Sequence, residues 1–331
     1  MTMARPATLQ DVADLSGVSR GTASRALTGG GRVSAETRAR VMAVAERLNY
    51  TTNSGARNLR RARAGSIGLW LPRGLHFMEY YMNFAFGVAE SVRDRELTVS
   101  LISGDFPAAR AHSLHVDGFV MADVDGQDPL ARAILETGRP IVASELVPPG
   151  MPQPTATVAA DHATATRLVL DRLRRGGATS IAILTPEIDQ TWVTGVDRTA
   201  VEWSAESGID VTFVRLEGVP EATALHDTVC DLFETAPGID AIVCVPEGLG
   251  VGVLSALREL GHTVPDEIQV VSYVDSPTLP IVQPPISALD LRPREAGLRA
   301  GELLISIIEE GRTAPAVELF DLIYRERGST R

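Results

Sequence analysis

Leu9, Val12 and Ala13 recur at helical spacing behind Thr8, and Asp11 stands three residues beyond that threonine. The pattern predicts a short amphipathic helix opened by a capping box. Gly17 ends it, because glycine takes positive φ without steric cost. Ser19 is the next cap. In the helix it opens, Ala23, Ala26 and Leu27 form the apolar stripe, while Arg20, Gly21, Ser24 and Arg25 face outward. A third helix follows from Ser34, with Val41, Ala45 and Leu48 on one side. Helix, glycine turn, polar helix and supporting helix together predict an all-α helix-turn-helix; a three-helix bundle without a ligand shares the same outline. The triple glycine Gly29–Gly31 lacks the Lys-Ser/Thr of a phosphate loop and reads as a connection.

From Ser66 the period changes. Short apolar runs (SIGLWLP, LTVSLIS, DGFVMA, PIVAS, ATVAA, SIAILTP, VTFVRL, AIVCVP and IQVVSYV) alternate with amphipathic stretches such as 81–95, 161–175, 195–207, 221–235 and 247–260. Strand–helix alternation of this kind predicts parallel sheets with helices on both faces, and nine runs suit two α/β lobes better than one sheet.

Composition agrees with more than one domain: 331 residues, 44% hydrophobic and 22% charged, with no apolar run long enough to span a membrane and no signal-type N-terminus. Cys230 and Cys244 lie in apolar segments and cannot build a disulfide framework, so buried free thiols in a cytoplasmic protein are expected. Charge is the more informative quantity. Residues 1–65 hold 11 Arg against 4 acidic residues, a balance of +7, whereas the rest holds 20 Arg against 38 acidic residues, −18, giving −11 overall. No lysine occurs, and no acid lies between Asp14 and Glu36. A basic head on an acidic body predicts a polyanion-binding module carried by a body that does not itself attract nucleic acid.

The run TLQDVADLSGVSRGTASRALTGGGRVSAETRARVMAVAERLNY resembles the DNA-binding domain of the lactose-repressor (LacI/GalR) family of bacterial transcription regulators, with Thr8-Leu9, Asp11-Val12-Ala13, Gly17-Val18-Ser19, Thr22, Ser24-Arg25, Val33-Ser34, Thr37-Arg38 and Leu48-Asn49-Tyr50 matching in order. The resemblance implies that Arg20 and Gly21 occupy the positions selecting operator sequence and that Arg25 contacts a base edge. Gly21 has no side chain to read with, which leaves direct readout to the two arginines. Thr8, Ser19, Thr22, Ser24, Arg32, Tyr50 and Asn53 fall where the family touches phosphate or sugar, contacts that fix register without reading sequence. The segment NSGARNLRRARAG, 53–65, resembles the family's hinge helix and linker. Leu59 matches the leucine wedged into the minor groove, Arg57 and its arginine neighbours add phosphate attraction, and Gly55 weakens the helix, so folding on DNA is expected. A plain basic tether is the other reading of this segment.

Over the acidic body the resemblance is looser. It implies a two-lobed effector domain like the periplasmic sugar-binding proteins, giving domains 1–52, 53–65 and 66–331, with lobe 1 near 66–157 and 291–314 and lobe 2 near 158–289 and 315–331. Crossovers then fall near 157–160, 276–290 and 314–316, and strand C-termini aim at the cleft. Tyr80 and Tyr81 match the family's aromatic pair within a cluster that includes Phe77, Phe84 and Phe86. Arg198 matches an arginine that binds effector oxygens, or is simply an exposed helix arginine; Asp161 matches an aspartate opening the first helix of lobe 2, or is a plain cap. Trp192 and Asp275 complete the expected effector set. Two departures weaken the case for an ordinary monosaccharide, Val274 where an aspartate is usual and Pro246-Glu247 where Asn-Asp is usual; a third is a trimmed segment of lobe 1 between Ser103 and Val116.

The implied function is a cytoplasmic, homodimeric transcription regulator, a repressor on this reading, that binds a pseudo-palindromic operator in double-stranded DNA. A small effector, a sugar or sugar derivative, controls its affinity from between the lobes. The competing class is a ligand-binding sensor with a vestigial DNA-binding module. Neither cofactor, metal nor catalysis is expected. Gly248, Gly250 and Gly252 have the wrong spacing for a dinucleotide turn, His112 and His115 lack a third ligand, and no serine elbow occurs. The ending GSTR has no leucine heptads for a tetramerising tail.

Overall fold

The computed structural model describes residues 5, 7–29, 31–50, 63–73, 79–218, 220–311 and 317–331. Asn53, Arg57, Leu59, Phe77 and the 314–316 crossover lie outside them. The chain divides into two units, Met1–Ala64 and Gly65–Arg331.

The first unit holds helices α1 (Leu9–Ser16), α2 (Arg20–Thr28) and α3 (Ala35–Arg47). Thr8 and Asp11 close a reciprocal capping box on α1, and Gly17 follows at φ +64°, in the left-handed region. Ser19 and Ser34 cap α2 and α3 by accepting the Thr22 and Thr37 amides. Val12, Ala13, Ala23, Ala26, Val41, Val44 and Ala45 form the buried core. With four of the seven being alanine, the helices approach closely around a small core.

The second unit contains two six-stranded sheets. In chain order its elements are β1 (Ser66–Leu71), α4 (Glu79–Ser91), β2 (Thr98–Ser103), a 3-10 helix (Ala108–Ser113), β3 (Phe119–Ala122), α5 (Pro129–Leu135), β4 (Ile141–Ser144) and β5 (Ala156–Ala160). Then come α6 (His162–Arg175), β6 (Ser180–Pro186), α7 (Thr191–Ser207), β7 (Asp210–Leu216), α8 (Ala222–Thr235), β8 (Ala241–Cys244), α9 (Leu249–Glu259), β9 (Gln269–Ser272) and β10 (Ser287–Asp290). Last are α10 (Pro293–Glu310), β11 (Val317–Phe320) and β12 (Ile323–Arg325). The strand orders are β2-β1-β3-β4-β5-β11 and β7-β6-β8-β9-β10-β12. These are one plan used twice, except that β11 runs parallel to β5 whereas β12 runs antiparallel to β10. Strands β3, β4, β5, β8 and β9 are buried at every residue, as expected for parallel strands covered on both faces, while the edge strand β2 is largely exposed.

The chain passes between lobes three times, and the crossings lie later than the sequence suggests. Strand β5 stays in the first sheet to Ala160, where it pairs with Phe320, so the first crossing follows residue 160. The second follows β10 at Asp290, and the third lies between β11 and β12, at 321–322. Lobe 1 therefore extends to 160 and includes β11. Strands β10 (SALD), β11 (VELF) and β12 (IYR) escape the pattern because polar residues leave no continuous apolar run in them. In the trimmed segment a single 3-10 helix replaces a full crossover helix, and His115 lies beyond it.

Lobe 1 is closed by α10 lying on α4 at backbone distance. A Cβ on Gly297 would stand 2.1 Å from the Phe84 carbonyl oxygen, and one on Gly87 would stand 2.0 Å from the Arg294 carbonyl oxygen. Only glycine permits this approach.

Candidate DNA-binding face and ligand cleft

On α2 the capping geometry continues into the outward side chains. Ser19 Oγ lies 2.9 Å from Thr22 Oγ1, which accepts from Arg25 Nη2 at 3.5 Å. These residues follow one another at three-residue spacing, so they form a single polar row along the helix. Arg20, Gly21 and Arg25 are exposed, and Thr22 and Ser24 are half-buried. Nothing but Ser19 Oγ, at 3.9 Å, approaches where a Gly21 Cβ would be, so the backbone is open to another surface there. Arg32 and Thr8 are exposed, the latter engaged in its capping box, and Tyr50 packs half-buried against the helix core. No acid projects from α2.

In the second unit a cavity of about 1030 Å³ opens between the sheets. Its lining residues follow strand C-termini in almost every case: Arg73 after β1, Asp123 after β3, Glu145 after β4, His162 after β5, Gln190 after β6, Glu247 after β8, Val274 after β9 and Leu291 after β10. Loops at strand C-termini are where open α/β sheets receive ligands. Tyr80 and Tyr81, at the start of α4, form an edge-to-face pair with centroids 5.1 Å apart, and Trp192 lies 5.6 Å from the His162 ring across the floor.

The deepest polar groups are linked. Tyr81 donates to Asp123 Oδ2 at 2.5 Å, Glu145 Oε1 accepts from the Ala160 amide at 3.0 Å, and Glu145 Oε2 stands 3.4 Å from His162 Nε2. His162 Nδ1 in turn contacts the Tyr273 hydroxyl, which also meets Thr166. Asp123 and Glu145 both take positive φ, +43° and +72°, uncommon for side-chain-bearing residues. Burial and the neighbouring Glu145 carboxylate push the Asp123 carboxyl up to about 7, against the pull of Tyr81 and His162. Burial and the Asp123 charge push the Tyr81 phenol well above its ordinary value.

The lobes are joined across the cleft. Glu247 accepts from the Glu79 and Tyr80 amides at the start of α4, at 3.0 and 3.2 Å, so a lobe 2 carboxylate caps a lobe 1 helix. Gln190 donates to the Asp123 carbonyl at 2.9 Å and holds the Trp192 indole N–H at 2.8 Å.

Residues 8–53 match the family described as bacterial regulatory proteins, lacI family, and residues 170–330 match a periplasmic binding protein-like domain. The chain thus carries a lacI-family DNA-binding domain followed by a periplasmic-binding-protein-like domain. Among its relatives, the transcriptional regulator CelR of Thermobifida fusca is 28% identical over 99% of this chain and the whole of its own length. The ribose operon repressor of Bacillus subtilis is 27% identical over 98% of this chain and 99% of its own. Among solved structures, the lac repressor dimer bound to operator and an anti-inducer matches with a TM-score of 0.84 at 22% identity, covering 98% of this chain and 99% of that one; it shows the shared fold.

Within the second unit, three residues assigned to the effector lie elsewhere. Arg198 is on the solvent side of α7, its side chain 74% exposed and paired at 3.9 Å with Glu202. The buried stripe of that helix runs through Val193, Val196, Thr199, Ala200 and Trp203, so the arginine is one residue, about 100° of rotation, off the inward face. Asp161 caps α6, accepting from Thr164, and does not border the cavity. Asp275 points away from the cavity into a bidentate pair with Arg327, at 2.8 and 2.7 Å. Conversely, Asp123, Glu145, His162 and Gln190 border the cavity and carried no motif. Each stands within four residues of the end of an apolar run, and that position is the signal by which they could be found. Cys244 is buried, its thiol pushed up to about 12 by burial, whereas Cys230 is only half-buried. Among the described residues no metal-binding cluster of His, Cys, Asp and Glu occurs, and no helix is long and apolar enough to cross a membrane.

Proposed function

We propose that this chain is a dimeric transcription regulator that grips a two-fold-symmetric DNA site with α2 and yields or tightens that grip when a small molecule fills the cleft. The observation that carries the reading is the exposed Ser19–Thr22–Arg25 row on an acid-free, doubly capped helix, at the front of an otherwise acidic chain. Hydroxyls serve phosphate oxygens, and a guanidinium presents the paired donors that guanine O6 and N7 accept. The charge balance makes the reverse arrangement, DNA on the body, unfavourable.

Large apolar side chains left in solvent support a second copy of the chain as partner. Met82 and Phe86 on α4 are 54% and 55% exposed, Leu101 on β2 is 67% exposed, and Ile281 in lobe 2 is 80% exposed. For the cleft, one solved relative is a CelR–cellobiose complex, which brings sugar-class ligands into the proposal. The aromatic walls suit a ring stacked on them.

Selection of bound fragments from a random duplex pool by the full chain at low salt tests the reading. The expected outcome is enrichment of one inverted repeat with half-sites one helical turn apart, at ~10–10.5 base pairs. Recovery of sequences no different from the starting pool would count against it. Addition of a cleft ligand should then change the affinity for that repeat and leave binding to unrelated duplex unchanged.

A further inference from the structure

We infer that the ligand of the cleft carries positive charge: a protonated amine, of which an amino sugar is the form that also uses the aromatic walls. The inference rests on the ligand-controlled reading above and names the chemical class that the cavity takes.

Six carboxylates border the cavity, those of Glu79, Asp123, Asp125, Asp128, Glu145 and Glu247, against the one guanidinium of Arg73. That guanidinium is already engaged, donating to the Gly104 carbonyl at 2.8 Å and standing 4.0 Å from Asp128. Among the described residues Glu79, Asp125 and Glu247 form no ion pair, nor does Asp123 in the fraction of molecules in which it is ionised, so the charge of the cavity is not balanced by its own walls. An anionic ligand such as a sugar phosphate would meet repulsion on every side.

The unsatisfied atoms at the floor point the same way, independently of the charge count. His162 is nine-tenths buried, and its Nε2 has no hydrogen-bond partner. Its Nδ1 stands 3.1 Å from the Tyr273 hydroxyl, which is also 3.1 Å from Thr166 Oγ1. Nε2 lies 3.4 Å from Glu145 Oε2. Beside them Asp123, 5% exposed, has Oδ2 taken by Tyr81, while no described residue donates to Oδ1. The floor therefore presents carboxylate oxygens with acceptor capacity to spare. A neutral sugar hydroxyl brings one donor and demands acceptance in return, whereas an ammonium group brings three donors and no acceptor. Tyr80 and Trp192 at the cavity wall add faces that attract a cation.

The test compares molecules of one skeleton. Cellobiose and the β-1,4-linked dimer of glucosamine, with glucose 6-phosphate, putrescine and spermidine alongside, are titrated calorimetrically into the full chain, and each is added to the chain on its selected DNA. The expected result is binding of the diamino dimer roughly tenfold or more tighter than cellobiose, a ratio of the size that charge-assisted hydrogen bonds give, with no binding of glucose 6-phosphate. Asp123→Asn should bring the ratio close to one, and Asp125→Asn, at the half-buried rim, should reduce it by about half should the first variant not fold. Cellobiose binding as tightly as its diamino counterpart, or every amine proving inert, overturns the inference. A neutral sugar that alters DNA affinity in that case leaves ligand control standing. Loss of selective DNA binding itself removes the reading beneath both.

Discussion

Arg25 is held at both ends of its side chain. Its stem lies against Gly31, where a Cβ would come within 3.0 Å of Cδ, and its guanidinium reaches Thr22. An arginine held in this way loses less entropy on meeting a base edge than a free one. Arg25→Ala should therefore cost about 1–3 kcal/mol of discrimination, roughly 5- to 150-fold, in fluorescence anisotropy against the selected repeat, with binding to scrambled duplex nearly unchanged. Asp123 gives a second residue-level expectation. Its folded value, about 7, lies above the ordinary 3.8, so the folded chain holds this proton more tightly than the unfolded chain. The sign follows: stability falls as pH rises from about 4 to about 7 and is flat on this account outside that window. In Asp123→Asn that component should vanish, so denaturant midpoints at pH 5 and pH 8 should lie closer together than in the parent. An equal separation in both proteins would show that the Asp123 proton is not linked to folding. Residue roles were unevenly legible. The caps Thr8, Ser19 and Ser34 could be read directly because capping is local chemistry. Arg198 could not be placed, because a rotation of 100° on a helix is invisible without the partner it packs against.

At the scale of elements, α4 and α10 interlock through glycines rather than through side chains. Gly297→Ala would drive a methyl group into the Phe84 carbonyl, a backbone atom that cannot rotate away. The helices must then separate, at a cost of about 1–3 kcal/mol, seen as a fall in Tm of roughly 2–4 °C for each kcal/mol. Gly208→Ala, where a Cβ meets nothing within 4 Å, is the matched control for backbone strain alone, since Gly208 ends α7 at φ +71°. A smaller loss at 297 than at 208 would contradict the interlock. The glycines of α10 were not read from the sequence as an interface, since close approach depends on an element more than two hundred residues away. The helix-turn-helix and the first nine strands were legible because their apolar periods are complete within each segment. In strands β10, β11 and β12 polar residues break up the apolar run, and their place in the sheets comes from the ladders they join.

For the molecule as a whole, Glu247 is the contact that ties cleft closure to lobe 1. Its carboxylate, raised by burial, is held by the two amides at the start of α4. Glu247→Ala removes both acceptors, and the second unit should spend more time open. The expected result is a larger radius of gyration in solution scattering without ligand, restored when ligand saturates the cleft. An unchanged radius would mean that the lobes are held together by Gln190 and the crossovers alone. The same residue marks a departure from the family pattern that the sequence revealed, although its role as a cap across the cleft did not follow from its identity. The threefold passage of the chain has one more effect, on the order of synthesis. Lobe 2 is built almost entirely from 162–290, so it leaves the ribosome before α10 and β11 exist. Until then the nascent first lobe lacks its covering helix and bares Tyr81, Phe84 and Val88 of α4. A chain stalled at residue 292 should thus bind a chaperone at α4, and emergence of α10 should release it.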